Sequence, residues 1–177
     1  QYIKENVDLE KVISARSISS SYLPDWRPGI DYRKTYSAQK KMGGGVSIDL
    51  IHEWDYLTHL FGFPKEVQYI LGKKSGLEID CEDIAIYLGE YETKLVELHL
   101  DYFGRKTLRE LMLFTSEDTI VGDIAQNVIY FLKTGEKIKF EESRDDFQIR
   151  ELEHFLDIIN GKLRNDSDIE HAIKVLK

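Results

Sequence analysis

Asp49, His52, Asp55 and His59 sit together in the segment GGGVSIDLIHEWDYLTHLFG, residues 43 to 62. Carboxylate and imidazole are the groups that move protons near neutral pH. A spacing of three places Asp49 and His52 on one side of a helix, close enough to cooperate. A carboxylate beside an imidazole fixes the ring's tautomer and favours its charged form, as a general base requires. The same spacing also describes a solvated polar helix face, and spacing alone leaves both readings open. Asp55 and His59 either continue the reactive stripe or lie exposed.

The same residues admit other chemistry. Asp49, His52 and Asp55 can supply metal ligands, with His99 or His154 completing a set. Yet there is no HExxH and no His-x-His, and Cys81 is the single cysteine, so the expectation is no metal. Gly43 to Gly45 can let backbone N–H groups approach an anion at the start of a helix. They do not form a GxGxxG after a strand, and no Gly-Lys-Ser/Thr follows, so nothing reads as a dinucleotide-binding βαβ unit. The loop PDWRPGIDYRKTYSAQKKM, residues 24 to 42, mixes Arg27, Asp31, Arg33 and Lys34 with Trp26, Tyr32 and Tyr36. That mixture suits sugar hydroxyls or phosphate through stacking and forked hydrogen bonds. It also suits a loop pinned by its aromatics with salt bridges on top.

The elements that position these residues follow from periodicity. A helix is expected from about 45 to 61. Val46, Leu50, Trp54, Leu57 and Phe61 form one face, with Asp49, His52, Glu53, Tyr56 and His59 on another. Gly62 and Pro64 end it. VISARSISSSYL (12 to 23) reads as a strand. Seven further β segments between 65 and 143 are separated by short turns, which favours antiparallel hairpins. In TKLVELHLDYF, Val96, Leu98, Leu100 and Tyr102 face one way and Glu97, His99 and Asp101 the other. From 145 the period is helical again through Leu152, Phe155, Leu156, Ile159 and Leu163, with Gly161 at the C-cap. A last helix is expected after Asp166 or Ser167 as N-cap. The fold class is α+β: a large open, predominantly antiparallel or mixed sheet with helices packed on one face, in a single domain spanning 1–177.

Composition narrows the partners. The chain has 177 residues, 24 Lys and Arg against 32 Asp and Glu, and a net charge of −8. Without a basic excess there is no nucleic-acid footprint. No apolar run approaches the length of a membrane span. With one cysteine, no internal disulfide forms, and a cytoplasmic setting is expected. The opening QYIKEN has no initiator methionine and reads as the tail of a helix, so a piece of a longer protein is expected.

The segment GGGVSIDLIHEWDYLTHLFG resembles the glycine-rich segment GGG-x-x-x-D-x-x-H-E-x-D of Gfo/Idh/MocA-type oxidoreductases. SYLPDWRPGIDYRKTYSAQKKM before it resembles the loop that leads into that segment in one branch of the family. HLDYFGRKTLRELMLFTSEDTI resembles its later hairpin. The likeness covers nearly the whole chain and is most specific in the middle motif. Many members space the acid and the histidine as D-x-x-x-H, whereas this chain has D-x-x-H.

The resemblance implies the C-terminal substrate-binding and oligomerisation domain of a two-domain enzyme. NAD or NADP would be held mainly by an N-terminal Rossmann domain of the same protein, outside this chain, and the isolated chain would be inactive. The substrate would be a sugar, a sugar derivative or a cyclic polyol. His52 would exchange the proton of the substrate hydroxyl during hydride transfer, with Asp49 assisting. Arg27, Tyr32, Arg33 and Asp55 are the expected substrate contacts. The sheet's second face, with Tyr130 or Phe131 among its residues, would build a homodimer. The competing readings are a non-catalytic, sheet-mediated dimerisation module and a metal-dependent hydrolase.

Overall fold

In the strand that begins at Val12, Ala15, Ser17 and Ser19 turn into the interior, and this strand organises the sheet around it. A computed structural model describes residues 1–165 and 168–177. The chain forms two compact units, residues 1–138 and 139–177. The first contains a short helix α1 (Tyr2–Asn6), strand β1 (Val12–Tyr22), helices α2 (Val46–Asp49) and α3 (His52–Phe61), and then an unbroken run of strands. These are β2 (Glu66–Gly72), β3 (Ile84–Glu90), β4 (Leu95–Asp101), β5 (Phe103–Thr115), β6 (Thr119–Asp123), β7 (Val128–Phe131) and β8 (Glu136–Lys139), the last reaching the boundary. Every expected β segment contains a strand.

The sheet has eight strands in the order β2-β3-β4-β1-β5-β6-β7-β8. It is mixed: β1 pairs in parallel with β4 and antiparallel with β5. The parallel pair is possible because a long crossover separates β1 from β4, carrying α2, α3 and the β2–β3 hairpin. One face is the core. There Val96, Leu98 and Leu100 of β4 and Tyr102 just after it are fully buried, beside Ala15 of β1 and Leu113 of β5. Trp54 of α3 meets Tyr87 of β3 edge to face at 5.5 Å, which fixes the helix over this face.

The opposite face is more open. Pairing places Ile70, Ile86, His99, Ile18 and Glu110 in one row across the strands, and Leu88, Glu97, Arg16, Met112, Val121 and Tyr130 in the next. Ile70, Ile86 and Leu88 are exposed. Tyr130 belongs to this open face. Phe131, directly opposite Ile120, belongs to the core face instead, because successive strand residues alternate.

The helix expected at 45–61 is two helices. At the junction, Leu50 leaves helical geometry at φ −106°, ψ 23°. Glu53 N–H donates to Leu50 O and Trp54 N–H to Ile51 O, so the turn tightens to an i→i−3 pattern. The loop at 24–42 is ordered as four short 3₁₀ turns.

The second unit holds α4 (Arg144–Ile159) and α5 (Ile169–Leu176). Ser143 and Asp146 form a capping box at the start of α4. Gly161 follows its end at φ +69°. Asp168 caps α5, accepting from His171 N–H at 2.8 Å. Asp166 and Ser167, where that cap was expected, lie outside the described residues. No helix among the described residues is long and apolar enough to cross a membrane.

Candidate active site

Two of the three glycines, Gly44 and Gly45, stand at close approaches, whereas Gly43 faces open space. A Cβ at Gly44 would stand 2.1 Å from Tyr36 O. Gly45, at φ +130°, has a conformation that L side chains rarely adopt. A Cβ there would meet the Glu82 carboxylate. Ser47 Oγ donates to that carboxylate at 2.5 Å, and Val46 N–H donates to Glu82 O at 3.2 Å. The anion at the start of α2 is therefore the chain's own Glu82. A dinucleotide pyrophosphate does not fit this glycine turn, where a carboxylate already stands.

Past the turn, the histidine and the two acids sort into two linked sites. His52 opens α3 and its side chain is 50% exposed. Its Nε2 lies 3.2 Å from Glu53 Oε1, and the Glu53 side chain is fully buried. Arg109 Nε, from β5, lies 2.6 Å from the same Oε1 and is 38% exposed. Neither Glu53 oxygen has a hydrogen bond in good alignment. The Glu53–Arg109 link is thus mainly charge, in a setting of reduced solvent screening. Tyr56, one turn on, exchanges a 2.5 Å hydrogen bond with Ser17 of β1. Burial, then the charge of Glu53, pushes the Tyr56 hydroxyl well above the usual tyrosine range, so it keeps its proton.

Asp49 has a different partner. Tyr102 Oη donates to Asp49 Oδ2 at 2.6 Å. Burial, then that carboxylate, pushes the Tyr102 hydroxyl far up, which makes it a fixed donor. No hydrogen bond joins Asp49 directly to His52. The expected Asp49–His52 pairing is replaced by Glu53 against His52 and Asp49 against Tyr102. The reason is the break at Leu50 and Ile51, which ends α2 at Asp49 and restarts the helix at His52. Asp55 is exposed on α3. His59 Nε2 lies 3.0 Å from Lys4 Nζ of α1.

The loop residues do not converge on one place. Tyr32 Oη accepts from Glu78 N–H at 3.1 Å. Arg33 is held by Asp31 at 2.8 Å and Glu78 at 3.1 Å, which raises its already high pKa. Both therefore tie the loop to the segment around Glu78. Arg33 faces a cleft of about 530 Å³ with Lys41, Lys73 and Asp80. Arg27 lines a separate cleft of about 470 Å³ at the end of β1, with Trp26 and Arg105. Trp26 meets Tyr102 edge to face at 5.3 Å, so this second cleft adjoins the Asp49 site. Among the described residues, no group of three or more His, Cys, Asp or Glu side chains is placed to hold a metal ion.

Glu53, Arg109, Tyr56 and Tyr102 were not singled out as site residues from the sequence. Glu53 carried a usable signal. Grouped with the polar face by the sequence, it also stands three after Leu50 and four before Leu57, beside the buried stripe, where a carboxylate calls for a buried cation. Nothing local marks Arg109 as that cation, because the pairing is made by strand register.

The fold is one found in oxidoreductases of the Gfo/Idh/MocA type. UDP-N-acetylglucosamine 3-dehydrogenase GnnA from Acidithiobacillus ferrooxidans matches at TM-score 0.71 and 18% identity, over 99% of this chain and 53% of that one. Biliverdin reductase from Synechocystis sp. PCC 6803, solved with biliverdin and NADP+, matches at 0.70 and 17%, over 99% and 55%. D-galactose-1-dehydrogenase from Rhizobium etli matches at 0.66 and 18%, over 94% and 50%. The chain thus spans about half the length of each, and at these identities the likeness is one of fold. No family model matches the chain, and no curated protein matches it.

Proposed function

We propose that this chain is the substrate-binding, C-terminal half of an oxidoreductase that transfers hydride between NAD or NADP and a sugar or sugar derivative. The observation that carries this is the half-exposed His52 imidazole held against the buried Glu53–Arg109 pair. Its Nε2 faces the carboxylate at 3.2 Å. Nδ1 is left to take or return the proton of a substrate hydroxyl. Glu53 orients the ring, and Arg109 offsets the cost of burying Glu53. Asp49, locked by Tyr102, offers a carboxylate edge for a neighbouring hydroxyl. The nicotinamide supplies the hydride chemistry when bound, and a separate Rossmann domain of the same protein holds it. The neighbours in fold support this reading, since they are dehydrogenases and reductases that this chain matches over about half their length.

Two further features belong to it. The open sheet face is the contact between two copies of the protein, and the single, buried cysteine suits a cytoplasmic setting. Isothermal titration of this chain with NADH and NADPH tests the division of labour. No measurable binding is expected. Micromolar affinity for either would contradict a cofactor site lying in another domain.

A further inference from the structure

We propose that the cleft at the end of β1 is a phosphate subsite, so that the substrate is a phosphate ester of a sugar, such as a sugar phosphate or a sugar nucleotide. That the ligand is a substrate rests on the function proposed above. That it carries phosphate rests on the cleft's own residues.

The cleft holds about 470 Å³ and contains two arginines. The Arg105 guanidinium lies 3.8 Å from the centre of the Tyr22 ring, and that of Arg27 lies 5.2 Å from the centre of Tyr36. An aromatic face beneath a guanidinium steadies it and leaves its N–H fork open at the edge. The fork matches a pair of phosphate oxygens. Among the described residues, Arg16, Arg33, Arg109 and Arg150 each lie within ion-pair range of a carboxylate, whereas Arg27 and Arg105 do not. The chain has 32 acidic residues, so carboxylates are not scarce. Two arginines without a carboxylate partner thus line one concave site, where their forks suit an anion.

The cleft is rigidly built. Asp101 accepts from the N–H groups of Phe103 and Gly104 at 2.9 and 2.8 Å, fixing the turn that presents Arg105. Ser21 Oγ accepts from Trp26 Nε1 at 2.8 Å, which leaves the Ser21 proton to donate into the cleft. Thr107 adds a second hydroxyl. Asp25 also lines the wall, and its carboxylate opposes bare phosphate. Beside the Trp26 indole it suits the hydroxyls and apolar face of a sugar. An ester that joins phosphate to sugar satisfies both halves. Trp26 packs on Tyr102, which holds Asp49, so the cleft adjoins the Asp49 carboxylate.

The experiment is isothermal titration of this chain at low salt with glucose, glucose 1-phosphate, uridine diphosphate glucose and NADP+. One or both phosphate esters are expected to bind with Kd below about 1 mM, and glucose is not. Arg27→Gln and Arg105→Gln should each weaken that binding by about tenfold or more, with circular dichroism confirming the fold. Arg33→Gln, in the other cleft, should leave it unchanged. Absence of ester binding overturns the proposal, as does equal weakening by Arg33→Gln. Tighter, Arg27-dependent binding of NADP+ would assign the cleft to a cofactor phosphate and overturn it too. If instead the esters bind as expected while His52→Ala leaves turnover of the two-domain enzyme intact, the phosphate subsite stands and the proposed catalytic centre falls.

Discussion

Arg109 of β5 and Glu53 of α3 meet at 2.6 Å across the interface between sheet and helix, with the Glu53 side chain fully withdrawn from solvent. The contact ties the helix that carries His52 to a strand more than fifty residues later in the chain. A buried carboxylate without its cation is costly, while an apolar pair of similar size is not.

Arg109→Met, which leaves that carboxylate buried without its cation, should therefore destabilise the chain by about 3–5 kcal/mol, and Glu53→Leu, which leaves only the partly exposed Arg109 unpaired, should cost less. The double variant Glu53→Leu with Arg109→Met should recover most of that loss. Urea denaturation of the four proteins completes a double-mutant cycle. Additive single and double effects would mean the two side chains do not interact.

Asp101 provides the acid limb of stability. Burial pushes its carboxyl up, but hydrogen bonds from His99, Ser20 and the amides of Phe103 and Gly104 outweigh burial and hold it below the usual carboxylate range. A depressed folded value contributes stability above the unfolded value and loses it as pH falls through the folded one. The advantage of the wild type over Asp101→Asn should hold at neutral pH and shrink below about pH 4. Denaturation midpoints of both proteins from pH 7 down to pH 3 read this directly. A constant difference across that range would show that Asp101 contributes nothing as a charge.

The open sheet face makes a prediction about mass. Exposed Ile70, Ile86 and Leu88 lie in neighbouring rows with Arg16, Glu97 and Met112. Light scattering at tens of micromolar should give twice 20.7 kDa. Ile86→Lys together with Leu88→Lys should return the chain to 20.7 kDa without unfolding it. A monomeric wild type would leave the face to some other cover.

Much of this fold was legible from local pattern. Alternation in TKLVELHLDYF gave the buried side of β4 correctly, since Val96, Leu98 and Leu100 are fully enclosed. Gly62 and Gly161 marked helix ends, where each takes a positive φ after the last turn. What escaped was set by contacts distant in sequence. The Asp49–Tyr102 bond joins residues far apart in the chain, and the Glu53–Arg109 pair depends on the β1–β5 register. Arg33 read as a ligand-binding residue because its chemistry is right, yet Asp31 and Glu78 already occupy it.

The central claim is that His52, oriented by Glu53, moves the substrate proton. The direct measurement is steady-state turnover of the two-domain enzyme carrying His52→Ala, with folding checked by circular dichroism. A fall in kcat of about 10²-fold or more is expected, the usual effect of losing a general acid–base group. Unchanged kcat in a folded variant would contradict the account.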